Sequence, residues 1–342
     1  VNPDCLVVAS CAESGELRGW TLDAARGTLA PRQVVAAGGM LMPMAQHPRL
    51  PRLYVARRSD PLAVLTYAIE ADGGLARMAE APLPASMAAM SCDRSGRWLL
   101  GASYGAGVVA IGAIDADGRA RPGAVAHAAG RNAHCIVADP ANRRVFSSAL
   151  GSDCLYRFEL DAERGRLVPA EDPTFALRAG AGPRHLVFDA GGQRLYVLNE
   201  LDAGIDVVAH DADSGALQPL QTVSCFPAGT SGTPWAAELR LSPDGRWLLA
   251  TERRSSTVSV FAVEAGGLLS LAQRQATEAQ PRGAAWSPDG RHLLVAGQAS
   301  HHLACLHWDA AAARLDRTDR VPAGRDPNWI ETRPLAAAKD PA

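Results

Sequence analysis

The chain has 342 residues, 47% of them hydrophobic, and a formal net charge of -2, enough apolar material for a large core but no basic footprint for nucleic acid or an anionic membrane. No apolar run reaches transmembrane length and no signal-peptide pattern opens the chain, so a cytoplasmic protein without a membrane partner is expected. The seven cysteines (Cys5, Cys11, Cys92, Cys135, Cys154, Cys225 and Cys305) form no C-x-x-C pair, which reads as buried thiols rather than a disulfide framework or a structural zinc.

Three β-type segments come first, residues 5–10, 16–22 and 29–35. A repeat then begins. Each unit has a turn rich in Asp, Pro, Ser or Gly followed by a strand that opens on Arg. The strands are RLYVA (52–56), RWLLGAS (97–103), RVFSSAL (144–150), RLYVLNE (194–200), RWLLATE (246–252) and RHLLVAG (291–297). Pro48, Arg94, Pro140, Ala190, Pro243 and Pro288 occupy equivalent turn positions, and the steps between them are 46, 46, 50, 53 and 45 residues. Such turns close tight hairpins, and the strands after them are β-rich. A third strand follows each time (63–68, 108–114, 155–160, 205–209, 258–263, 303–308), and a fourth, more polar one follows a turn such as Asp213-Ser214-Gly215. Four antiparallel strands at this period predict an all-β propeller blade. Six units are complete. The three opening segments read as strands two to four of a seventh, whose first strand is residues 328–332. A single seven-bladed domain over residues 1–334, closed by both chain ends in one blade, removes the open sheet edges. Residues 335–342 read as a disordered tail. Trp308-Asp309 is the only W-D dipeptide, so the blades are not of the WD40 kind.

The most informative stretch is GAGPRHLVFDAGGQRLYVLNE, residues 180–200. As a hairpin it brings Arg184 and His185, at the start of one strand, to the same edge as Asn199 and Glu200, at the end of the next. The same rule applies to every blade, because first strands line the channel and begin where second strands end. It collects Arg57, Tyr104, His134, Trp235, Arg253, Arg282 and Gln298 on one rim, with His301 on the loop beyond. The opposite rim carries generic Asp-Pro-Gly turns. Guanidiniums in a ring suit an anionic ligand carrying phosphate or carboxylates, and an imidazole beside a carboxylate suits proton transfer. Plainer roles stand beside these. Arg58 and Arg254 read as solvated strand ends, His134 as a satisfied buried histidine, His185 as a residue behind the site, and Glu200 as a partner for Arg184. His301-His302 has no third ligand and adjacent side chains point apart, so no metal is expected. No glycine loop of the nucleotide-binding kind is present, so no cofactor is expected.

Residues 181–201, 234–253, 277–303 (TEAQPRGAAWSPDGRHLLVAGQASHHL) and 101–109 (GASYGAGVV) together resemble the bacterial seven-bladed propeller 6-phosphogluconolactonases. They are similar, more distantly, to the fungal 3-carboxymuconate lactonizing enzymes. The resemblance runs over roughly residues 5–332. In the lactonizing branch a His, two Arg and a Glu are implicated in catalysis, and by motif these fall on His134, Arg184, Glu200 and Arg282. The chain departs from the pattern at His134-Cys135-Ile136, where the family often has a Ser soon after the His, and at Glu252-Arg253-Arg254, where the lactonases tend to have Asp-Arg-Thr. The resemblance implies hydrolysis of 6-phospho-D-glucono-1,5-lactone. A δ-lactone is reactive enough to need neither metal nor covalent nucleophile, and a monomer or weak homo-oligomer is expected. Glu200 or His134 would be the base, Arg184 would hold the oxyanion, and Arg282 with Arg57 or Arg253 would hold the phosphate. Tyr104, His185, Asn199, Trp235, Gln298 and His301 would complete the substrate site. A carboxymuconate-type cycloisomerase, a lactonase for another sugar-acid or dicarboxylic lactone, and a partner-binding propeller are the alternatives.

Overall fold

The repeated turns work through one recurring contact. The residue that opens the turn accepts, through its side-chain oxygen, the backbone N–H five positions on. Asp93 accepts from Trp98 at 2.9 Å and Asp189 from Arg194 at 3.0 Å. Ser242 accepts from Trp247 at 3.0 Å and Ser287 from His292 at 2.9 Å. A short side-chain acceptor therefore stands in for a backbone carbonyl and launches the second strand of these blades, whereas in the first complete blade the Arg52 N–H donates to the Leu50 carbonyl at 2.8 Å.

The computed structural model describes residues 4–335. Its strands form seven four-stranded antiparallel sheets, one per predicted unit. The closing blade is as expected: Pro327–Pro334 lies against Cys5–Cys11, followed by Glu16–Asp23 and Thr28–Ala36. The innermost strands of the other six are Leu41–Gln46, Ala89–Cys92, Ala133–Ala138, Pro183–Phe188, Ala236–Leu241 and Pro281–Trp286. Burial falls from the channel outward. Pro183–Phe188 is buried almost throughout, whereas the outermost strand of that blade, Leu217–Ser224, alternates exposed and half-buried residues. The core is divided among the seams between blades. Tyr196, Leu198 and Ile205 of the fourth complete blade pack on Leu239, Leu248 and Ala250 of the fifth, aligned apolar faces of neighbouring sheets. All seven cysteines are free, as the sequence suggests, and six of them are buried.

One expectation needs correction. Leu335 does not begin a loose tail: its N–H donates to the Asp4 carbonyl at 2.9 Å, extending the seventh blade's ladder. The rest of the expected tail lies outside the described residues.

The feature that builds the site is a β-bulge near the start of the innermost strands. The register skips one residue between Ala133 and Cys135, between Pro183 and His185, and between Pro281 and Gly283. The skipped residues are His134, Arg184 and Arg282. A bulge leaves its extra residue out of the ladder and re-aims its side chain. Three blades thereby deliver an imidazole and two guanidiniums to one end of the channel.

Candidate active site

Arg184 is the centre of the cluster and is 2% exposed. Its Nε donates to Glu200 Oε2 at 2.8 Å. Its Nη1 faces His185 Nε2 at 2.9 Å and also donates to the Ala237 carbonyl. Gly182 makes this geometry possible. It sits at φ 66°, a conformation that favours glycine, and its carbonyl accepts the Glu200 N–H at 2.8 Å, which locks the carboxylate beside the bulge.

From the next blade, Arg253 Nη2 approaches Glu200 Oε2 at 3.0 Å and donates to the Ala236 carbonyl at 3.0 Å, while its Nε donates to the Trp235 carbonyl at 3.2 Å. Its guanidinium lies 3.8 Å from the Trp235 ring centroid, and that indole donates to Glu200 Oε1 at 3.2 Å. Glu200 therefore has both oxygens occupied. Burial acts to raise its pKa, but Arg184, Arg253 and Arg282 outweigh that and hold it below the ordinary value. A carboxylate so engaged is a poor base and a good spacer between cations. Arg184 Nη2 and Arg253 Nη1 accordingly have no acceptor among the described residues.

Arg282 makes no hydrogen bond to any described residue. Burial and then Arg184 push its pKa down, against the attraction of Asp326. Arg58 also acts on it. Arg58 is half-buried, with its Nε donating to Ser86 Oγ at 2.9 Å. His134 is buried, with Nδ1 unpartnered among the described residues. Burial, then Arg184, His185, Arg282 and Arg253, drive its pKa well below 6.5, so the ring is neutral near pH 7. It lies 5.5 Å from His185 and 6.0 Å from Tyr104, centroid to centroid. The arrangement is thus a cationic pocket with one neutral imidazole and three guanidiniums offering free N–H groups.

Five residues of the expected set have other partners. Arg57 turns outward and pairs with Glu80 on the outermost strand of its blade, because neighbours on a strand point to opposite faces. Arg58, read from sequence as solvated, is the one facing the site. Asn199 turns to Asp206 of the third strand at 2.7 Å, away from Arg184. Trp235 is committed to Arg253 and Glu200. His301 is exposed at the edge of the rim, its Nδ1 accepting the Asp326 N–H at 3.2 Å. Gln298 lies beside Asp326, whose pKa burial raises against a partial offset from Gln298. Sequence reasoning also missed Glu238, behind His185. The only available signal was its place one bulge along in the neighbouring blade.

Replacing Glu200 with Gln leaves Arg184 and Arg253 facing each other without a counter-charge. Unfolding in urea is expected to show a loss of about 3 kcal/mol, the scale for removing one partner of a buried pair. Because the folded carboxyl is depressed, wild type holds this increment above pH 4.5 and loses it as pH falls through the lower folded value. The mutant is expected to lack that acid dependence.

The family model described as a seven-bladed β-propeller lactonase matches residues 5–332. A 6-phosphogluconolactonase of Sodalis glossinidius is 37% identical over 328 residues, covering 95% of this chain and 98% of its own. One of Pectobacterium carotovorum is 36% identical over 331 residues, covering 96% and 99%. Among solved structures, a periplasmic gluconolactonase of Pseudomonas aeruginosa superposes with a TM-score of 0.88 at 27% identity, covering 97% of this chain and 99% of its own.

Proposed function

Because the chain belongs to the seven-bladed β-propeller lactonase family, we propose that it hydrolyses 6-phospho-D-glucono-1,5-lactone to 6-phosphogluconate, the lactone-opening step of the pentose phosphate pathway. The observation that carries this reading is the rim itself. A neutral imidazole stands among Arg184, Arg253 and Arg282, a combination that suits an anionic ester needing a base and an oxyanion holder.

His134 takes a proton from a water as that water attacks the lactone carbonyl. Arg184 Nη2, with Arg253 Nη1, receives the oxyanion. The ring oxygen then leaves as the C5 hydroxyl, accepting the proton from the His134 imidazolium. The product acid ionises and releases its proton to solvent. Arg282 and Arg58 hold the phosphate, and Tyr104 flanks the base. Glu200 sets the spacing of Arg184 and Arg253 and carries no proton. A cycloisomerase needs a group already protonated when substrate binds, and the neutral resting state of His134 favours the hydrolytic alternative.

Free thiols throughout support a reducing, cytoplasmic setting, and no helix among the described residues is long and apolar enough to cross a membrane.

The test is turnover of freshly generated 6-phosphogluconolactone against unphosphorylated gluconolactone, with chelator present. A preference of at least about tenfold in kcat/KM for the phosphorylated lactone is expected, since one charge-assisted contact is worth about 1.5 kcal/mol or more. Equal rates on both would remove the phosphate from the reading, and a rate no higher than the spontaneous one would remove the lactone.

A further inference from the structure

We propose that Glu238 is a positioning residue for lactone hydrolysis: it fixes the tautomer of His185 and thereby aims Arg184 at the substrate carbonyl. The proposal rests on the hydrolytic reading of the site. Glu238 is 1% exposed and His185 is 4% exposed, one behind the other beneath Arg184.

Proton counting leaves one arrangement. A guanidinium has donors only, so His185 Nε2, 2.9 Å from Arg184 Nη1, must be an acceptor. The ring is then neutral with its proton on Nδ1, and that proton is donated to Glu238 Oε1 at 2.7 Å. A proton on Nε2 would set two donors face to face and push Arg184 off its line. With Nε on Glu200 and Nη1 on His185 and the Ala237 carbonyl, only Nη2 points onward. The carboxylate is itself held: the Leu239 N–H donates to Oε1 at 3.1 Å and Arg240 Nε stands 3.3 Å away. Glu238 reaches this place because the bulge between Ala236 and Leu239 shifts the innermost strand of its blade by one residue. The chain Glu238–His185–Arg184 thus fixes a guanidinium as a carboxylate fixes a catalytic histidine, through the tautomer.

A purely structural Glu238 would serve only as the counter-charge of Arg240, and two substitutions separate these roles. Glu238→Gln loses the charge but keeps a carbonyl acceptor for Nδ1–H, whereas Glu238→Ala loses both. Both variants are expected to unfold at lower urea than wild type. Only Glu238→Ala is expected to lose kcat, by about 10- to 100-fold, the range seen when groups that orient a functional histidine are removed, with KM little changed. Nitrogen-15 NMR of labelled histidine is expected to show His185 protonated on Nδ1 and not on Nε2 in wild type and in Glu238→Gln. Glu238→Ala is expected to show a tautomer mixture. The proposal is overturned by wild-type kcat in folded Glu238→Ala, by an equal loss in Glu238→Gln, or by a proton on Nε2 in wild type. If Glu238→Ala does not fold, Glu238→Gln and the wild-type spectrum decide. Wild-type protein with no turnover of 6-phosphogluconolactone sinks the hydrolytic reading and this proposal together, an outcome distinct from failure in the variants alone.

Discussion

His134→Ala is expected to lower kcat on 6-phosphogluconolactone by about 100- to 10,000-fold, the contribution of a placed general base, while KM changes little because the arginines that bind the anion remain. The residue is the site's uncommitted proton acceptor. Glu200, the other candidate, already takes hydrogen bonds or ion pairs from Arg184, Arg253 and Trp235. The pH profile separates the two. A base must be deprotonated, and burial with four cationic or imidazole neighbours holds His134 well below 6.5. Wild-type kcat/KM is therefore expected to stay level through neutrality and to fall only on the acid side of pH 6.5. In His134→Ala the residual rate is expected to follow hydroxide, rising with pH and showing no such plateau. An unchanged profile in the variant would return the base role to Glu200.

Arg184→Ala is expected to cost about 100- to 1,000-fold in kcat, the scale for one oxyanion donor in a water-poor site. Arg184→Lys is expected to recover little of it. One ammonium cannot occupy Glu200, His185 and the Ala237 carbonyl and still present a directed N–H, whereas the planar fork does all four. The same variants report on stability, since Arg184 is nearly inaccessible and Glu200 keeps Arg253 as a partner after its loss. A modest fall in urea midpoint with a large fall in kcat is therefore the expected pattern. Wild-type kcat in Arg184→Ala would remove it from the oxyanion role and leave that task to Arg253.

Much of this was legible from residues alone because it is local. The hairpin turns announce themselves through Asp93, Asp189, Ser242 and Ser287, whose side chains bond the backbone five residues on. Alternation along a strand is local too, and counting the repeated turns gives the number of blades. Hairpin geometry alone put Arg184 beside Glu200, and the Pro-Arg pairs at Pro183 and Pro281 marked the two bulges that carry guanidiniums.

What the tertiary structure decided was which way each side chain faces, and what meets it from another blade. A bulge adds one residue, and one residue reverses the face of everything after it. Arg57 and Arg58 exchange the roles their order suggests, and Asn199 belongs to Asp206 rather than to the rim. Contacts across blades leave no mark in the sequence. Glu200 and Arg253 are 53 residues apart, as are His185 and Glu238, and nothing near either pair announces the meeting. The repeats of this chain, six complete and one shared by its ends, specify seven blades, and only closing that ring turns a line of polar residues into a site.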